Sequence, residues 1–375
     1  MQIARILLLI FLVPLKILAS SLTDRINISA DFYADNVGVY IISPMVNLTK
    51  TLSEHWAMVT SFRIDAITAA SIRNGSGDGY DSVISDALTG ASGRAGFEDV
   101  RLAPTLGMIY EGRSTEVSFG RYMSNEIDYD VASNYFNVKQ SFNDANTVVT
   151  LGGVYSYEGW NPTISRNLPV STKTSRTYSF SLTQLLTPKS YFQFRYSSTE
   201  AEGFLASPYH YLDRETFVRF DAYPNLRDSK AWAFLYVQQF WESVAIHGQY
   251  RYAWDDWDMT SHTVDGKLFY DLFERVTVGL KGRYYTQTQA NFVQATTDYL
   301  ETDTYIASDY RLSALGTLTY GLSVSYKPES LEDENFLLNV SFNYFQTDKN
   351  NFIEWWYGTP QIKAFYMSLG IGYDF

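Results

Sequence analysis

Period-two alternation, repeated through almost all of a 375-residue chain, restricts the possible folds more than any other feature. The final stretch AFYMSLGIGYDF shows it plainly: Phe365, Met367, Leu369, Ile371, Tyr373 and Phe375 alternate with Tyr366, Ser368, Gly370, Gly372 and Asp374. Successive side chains of a strand point to opposite faces, so this stretch has one apolar and one mostly small or polar face. Read the same way, the chain divides into about sixteen segments of strand character. They fall near 24–35, 38–50, 56–68, 98–110, 115–127, 134–142, 147–157, 174–185, 190–199, 230–240, 244–254, 259–271, 275–287, 309–326, 335–346 and 362–375. Each is close to the length that crosses a bilayer at a tilt.

The connections between them alternate in length. Tight turns follow even-numbered segments at Ser53–His55, Glu111–Ser114, Asn143–Asn146, Thr187–Lys189, Trp241–Ser243 and Phe273–Glu274. Long connections, 69–97, 158–173, 200–229, 288–308 and 347–361, fall on the other parity. Two short links (Asp35–Val37 and Asp255–Asp258) and one longer turn (Pro328–Glu334) depart from the rule. Short turns at one end and long loops at the other belong to outer-membrane barrels, and an even strand number closes the sheet without an edge. A secreted β-sandwich would share the alternation, but sandwiches rarely need so many bilayer-length strands. The expected fold is all-β: a transmembrane antiparallel β-barrel of about 16 strands, with 14–18 allowed.

Composition agrees with that class and excludes others. Aromatic residues make up 17% of the chain, with 30 Tyr and 24 Phe, while no long apolar run follows the first twenty positions. A helical membrane protein needs runs of about 18 apolar residues or more. Cysteine is absent, which removes disulfides, Cys-ligated zinc, iron–sulfur clusters and thiol nucleophiles. A formal charge of −12 disfavours nucleic acid as a partner. At the N-terminus, Arg5, the apolar run Ile6–Val13 and the small residues Ala19–Ser21 read as a signal peptide over residues 1–21. The expectation is export through the secretory pathway to the outer membrane of a Gram-negative-type bacterium, with 22–375 forming one barrel domain.

Alternation also assigns faces. Arg63, Asp65, Arg195, His247, Arg251, Asp265, Lys267, Lys281 and Arg283 fall on the lumen side, opposite Phe62, Phe194, Ile246, Val264, Leu268 and Leu280. One reading makes this locally basic set a constriction that favours anions. The other makes it a salt-bridged plug, Asp265 pairing with Lys267, Arg251 or Lys281, because buried charges must find partners. Loops 69–97 and 200–229 have the length at which porin loops fold inward.

Trp56, Trp254, Trp257, Trp355 and Trp356 lie near strand ends and read as interfacial girdles. The Gly- and Asp-rich loop 74–81 lacks the spacing and closing Glu of a calcium site. Asp298, Glu301, Asp303 and Asp309 read as solvated loop acids. His55, His210, His247 and His262 form no triad order and no helical zinc pair, so neither an enzyme nor a metal or other cofactor is expected.

Several stretches resemble one family of exported barrels, catalogued as domain of unknown function 3570. They are Phe32 to Ile72, Ser124 to Asp130, Asn146 to Gly153, His247 to Thr263 and Lys281 to Val293. The resemblance implies an outer-membrane barrel without an established activity, and a periplasmic or lipoprotein partner. Beyond Gly321 to Pro328 the chain departs from the family's usual ending by a further hairpin at 335–375. The terminal strand, with Tyr373 and Phe375, resembles the insertion signal read by the barrel assembly machinery in placing barrels among outer-membrane lipids. The expected function is a porin-like channel for small solutes, anions among them. The alternative is a non-conducting structural barrel that anchors a partner complex.

Overall fold

The computed structural model describes residues 22–36, 38–69, 97–161, 170–206, 210–214, 216–295, 297–328, 336–348 and 361–375. The expected signal peptide, the loop 74–81, Trp355 and Trp356 lie outside these residues. Eighteen strands follow one another: β1 (Arg25–Asp35), β2 (Val39–Ser53), β3 (Trp56–Ala69), β4 (Phe97–Glu111), β5 (Thr115–Asn125), β6 (Tyr129–Phe142), β7 (Thr147–Trp160), β8 (Ser171–Thr187), β9 (Ser190–Gly203), β10 (Tyr211–Arg214), β11 (Phe217–Phe220), β12 (Leu226–Trp241), β13 (Val244–Asp255), β14 (Thr260–Phe273), β15 (Val276–Gln287), β16 (Leu315–Tyr326), β17 (Phe336–Thr347) and β18 (Lys363–Asp374). Sixteen of them form a closed antiparallel barrel in which chain neighbours pair, while β10 and β11 form a separate hairpin between β9 and β12.

Closure joins β1 to β18 in unbroken register from Arg25↔Asp374 to Asp35↔Ala364. The Arg25 guanidinium clasps the Asp374 carboxylate at the base of that seam. Phe375 N–H donates to Asp24 O at 2.9 Å, and Tyr373 stacks on Phe375 with centroids 6.0 Å apart. No edge of the barrel sheet is left unpaired, which satisfies the backbone where lipid offers no hydrogen bonds.

The outer face carries exposed apolar side chains at alternate positions, including Phe62, Leu106, Phe136, Leu151, Phe234, Val264, Leu280, Leu322 and Val340. Such a surface suits hydrocarbon and not water. At the short-turn end Trp56, Phe142, Trp241 and Phe273 are exposed as an aromatic rim. Among the described residues the largest buried apolar cluster sits in the loops, where Trp257, Met259, Ala290, Val293, Ala307 and Leu312 pack together.

Several boundaries differ from the sequence expectation. β6 begins at Tyr129 and not at 134, so residues 126–128 form another short link at the long-loop end. Its outward face there holds Asp130, Ala132 and Asn134, so no apolar alternation marks the strand. Barrel strands of 11–17 residues exceed the ~9–11 needed to cross the hydrocarbon, and the surplus stands in water, where both faces turn polar. β16 begins at Leu315 and not at 309, because a 3₁₀ turn, Tyr310–Leu312, capped by Asp309, occupies the preceding residues.

Candidate functional site

The lumen wall is built by the side chains opposite the exposed apolar set. On β3 and β4, Arg63 reaches Asp31 at 2.6 Å and lies 3.7 Å from Asp65, while Arg101 also pairs with Asp65. Ser368 Oγ donates to the other Asp31 oxygen at 2.6 Å. This patch has two carboxylates for two guanidiniums and is charge-balanced. Arg101 was open to the same alternation argument, since it stands between the outward Val100 and Leu102.

The opposite wall is different. In the sixteen-strand cycle, β13 and β14 lie eight places from β3 and β4. Here three rows run across adjoining strands. Arg195, Ala233, Arg251 and Thr263 are in register in the first. Gln249, Asp265 and Arg283 follow in the second, and His247, Lys267 and Lys281 in the third. Asp265 is buried and takes Arg283, with Nε to Oδ1 at 2.6 Å and Nη2 to Oδ2 at 3.3 Å. It therefore does not pair with Lys267, Arg251 or Lys281, as the plug reading expected. In an antiparallel ladder, directly opposite residues are the closest cross-strand neighbours, and register places Arg283 there. Among the described residues, Arg195, Arg251, Lys267 and Lys281 have no carboxylate within 4 Å. The ion pairs of Arg63, Arg101 and Arg283 join strands close together in the sheet.

The long-loop end carries a structured cap that alternation did not foretell. The described residues of 204–225 and of 288–314 are joined by the Ala222↔Ile306 bridge, with N···O distances of 2.9 and 3.0 Å. Arg219 donates to the carbonyls of Glu301 and Asp303 at 2.6 and 2.7 Å. Asp303 accepts from Leu300 N and Gln294 Nε2, and Asp309 is buried against Arg311, so neither is a solvated loop acid. Trp257 is 4% exposed, with the Arg227 guanidinium 4.5 Å above its ring, and belongs to the cap and not to a lipid girdle.

Inside the cap, Asp221 accepts from Tyr223 Oη at 2.6 Å and from Ser308 N at 2.9 Å. Burial pushes the Asp221 carboxyl above its ordinary range. Burial also acts upward on Asp309, but the Arg311 guanidinium outweighs it and holds that carboxyl below its ordinary value. His210 is 2% exposed, and its Nδ1 lies 3.9 Å from both Asp221 Oδ2 and Asp309 Oδ2, beyond hydrogen-bonding reach. Neither His210 nitrogen has a hydrogen-bond partner among the described residues, so no serine hydroxyl there is joined to it.

The cap reaches the lumen. Leu205, Tyr223, Asp309 and Arg311 border two hollows at once, with Lys173 of β8 completing the shared boundary. The larger, about 820 Å³, runs down the wall of β1–β4 and β18 to Ser43, Asp65 and Ser368. The smaller, about 540 Å³, lies against Arg227, Arg251 and Tyr285. Leu205 and Tyr223 from the connection between β9 and β12, and Asp309 and Arg311 from that between β15 and β16, stand between the two hollows.

Solved structures share this architecture. A "Bacterial polysaccharide outer membrane secretin" is similar with a TM-score of 0.54 at 8% identity, over 95% of this chain and all of that one. The Pseudomonas putida toluene transporter TodX gives 0.44 at 10% identity, over 95% and 91% of the two chains. Pseudomonas aeruginosa OccK9 (OpdG) gives 0.44 at 10% identity, over 95% and 99%. The barrel fold is that of bacterial outer-membrane proteins. No curated protein matches the sequence. One family model matches residues 16–179 and 170–370, a span that takes in β17 and β18 as far as residue 370, so this hairpin is not an addition beyond Pro328. The chain belongs to that family, described as "Protein of unknown function (DUF3570)".

Proposed function

We propose that this barrel is an outer-membrane channel for small solutes, with a preference for anions set by the wall of β9 and β12–β15. The observation that carries the reading is the row His247, Lys267 and Lys281, held in register on three adjoining strands with Lys267 directly opposite Lys281. Like charges directly opposite in a ladder destabilise it, so the arrangement is expected only where something else is gained. An anion passing between the two ammonium groups would offset their repulsion. Arg195 and Arg251 extend the same field, as rings of basic side chains do in anion-selective pores. Barrels of 16–18 strands are wide enough to leave an aqueous channel. The two hollows support an open interior. Export, membrane insertion through the Tyr373–Phe375 end and any periplasmic partner belong to the same proposal.

The test is planar-bilayer conductance of the refolded barrel under a salt gradient. The expected result is steady conductance with an anion-directed reversal potential that weakens in Lys267→Ala and Lys281→Ala. Electrical silence from a folded barrel would overturn the channel reading in favour of a barrel that anchors a partner. Cation preference would overturn the assignment of the basic wall.

A further inference from the structure

We infer that the larger hollow is a binding subsite for an acidic saccharide, a pyranose ring carrying a carboxylate. The inference rests on the channel reading in treating the lumen as a solute path. Its carrier is an aromatic arrangement at the outer end of the lumen. Tyr33 and Tyr366 form one pair, with centroids 4.9 Å apart, on β1 and β18. Tyr129 and Trp160 form another, 4.0 Å apart, on β6 and β7. Strands β1 and β6 are five places apart in the cycle, and Tyr223 and Tyr310 of the cap border the same space.

The hydroxyls of these rings are largely spoken for. Tyr33 Oη donates to Asp35 at 2.7 Å, Tyr223 Oη to Asp221 at 2.6 Å, and Tyr129 Oη to Glu158. A tyrosine that donates its proton to a neighbouring carboxylate has no O–H left to donate, and offers a solute its ring face and an acceptor oxygen. Rings alone would suit any apolar guest, but this hollow is not apolar. Asp31, Glu126, Arg101 and Lys173 line it among the rings. A guest with flat C–H faces and a rim of hydroxyls meets both demands, and a pyranose has that form. Polar side chains among aromatic walls are how concave sites fix orientation.

The acidic substituent follows from position. Arg311 and Lys173 border both hollows, and the second hollow leads to Arg227 and Arg251. Lys173 is held by Glu158 at 2.7 Å, Arg311 by Asp309 at 2.6 Å and Arg227 by Asp255 at 2.5 Å, so Arg251 is the cation on that side with no carboxylate within 4 Å among the described residues. A carboxylate on the ring would be drawn there.

The test is calorimetric titration of the detergent-solubilised full-length barrel with trigalacturonate, maltotriose and citrate. Trigalacturonate is expected to bind about tenfold more tightly than either of the others. Tyr366→Ala should weaken trigalacturonate about tenfold, roughly the loss of one ring-face contact, and leave citrate unchanged. Tyr366→Phe keeps the face and should retain binding; Trp160→Ala should act like Tyr366→Ala. Equal affinity for citrate and trigalacturonate, or binding indifferent to Tyr366→Ala, would overturn the inference. Because titration needs no conduction, an electrically silent barrel that binds trigalacturonate refutes only the channel. A conducting barrel that ignores it refutes only the saccharide subsite.

Discussion

Asp265→Asn should make the barrel less stable and more anion-selective at once. The carboxylate is buried, with its side chain 8% exposed, whereas the Arg283 guanidinium that grips it is 44% exposed to the lumen. Two unit charges about 4 Å apart interact by about 4 kcal/mol at an effective dielectric of 20. Solvation of the half-exposed Arg283 and the cost of burying Asp265 reduce this. The net contribution falls between the values for exposed and buried pairs, at about 1–2 kcal/mol. The introduced amide would keep the shape of the carboxylate, and Arg283 would turn toward water, so no uncompensated buried charge remains. Urea unfolding in lipid vesicles measures the loss, and a cycle with Arg283→Gln isolates the pair. The reversal potential under a salt gradient should move further toward the anion, since Asp265 is the one carboxylate in the three rows that carry Arg195, Arg251, Lys267, Lys281 and Arg283. A coupling below about 0.3 kcal/mol, the noise of such cycles, would refute the energetic argument. An unchanged reversal potential would show that ions do not pass this wall.

Other perturbations probe other parts. Gly107 and Gly120 face each other across β4 and β5 beneath the Tyr135 ring. A Cβ at Gly107 would strike Tyr135 Oη, with Phe119 O next at 3.1 Å, so Gly107→Ala should cost about 1–3 kcal/mol and be largely rescued by Tyr135→Phe. Gly120→Ala should not be rescued, because its Cβ would also lie 2.5 Å from Leu106 O; equal rescue of both in urea unfolding would contradict the geometry. Trp257→Ala should remove about 3–5 kcal/mol from the cap core. Limited proteolysis should then cut within 288–314 while the barrel keeps its heat-modifiable migration, and unchanged protease resistance would count against the cap's dependence on this ring. Phe375→Ala removes the ring that stacks on Tyr373 and lies 5.6 Å from Lys50 Nζ. It is expected to lower the yield of membrane-inserted barrel in cells, and normal levels would refute the insertion-signal role.

Alternation offered a face for each lysine of the basic wall. Lys267 and Lys281 stand between Val264, Leu268 and Leu280, so the face of each could be assigned by counting in twos. The partner of Asp265 could not, because alternation states a side and not a register. Only the pairing of β14 with β15 brings Arg283 opposite, and leaves Lys281 opposite Lys267. Tyr129 to Asn134 escaped notice for another reason. That part of β6 rises past the hydrocarbon, where water wets the outward face and removes the apolar signal.

The amino-acid sequence determined the barrel itself, its strand count, its outward apolar belt and its alternation of short and long connections. It could do so because a membrane strand meets lipid on one face, a local demand written residue by residue. The cap was decided only by the tertiary structure. His210, Asp221, Trp257, Ile306 and Asp309 lie far apart in sequence and share no period. They are brought together by apolar contacts and hydrogen bonds between loops that leave different strands. The same holds for the two hollows, because their volume depends on how far Leu205, Tyr223 and Arg311 reach inward once β1 and β18 have closed the wall around them.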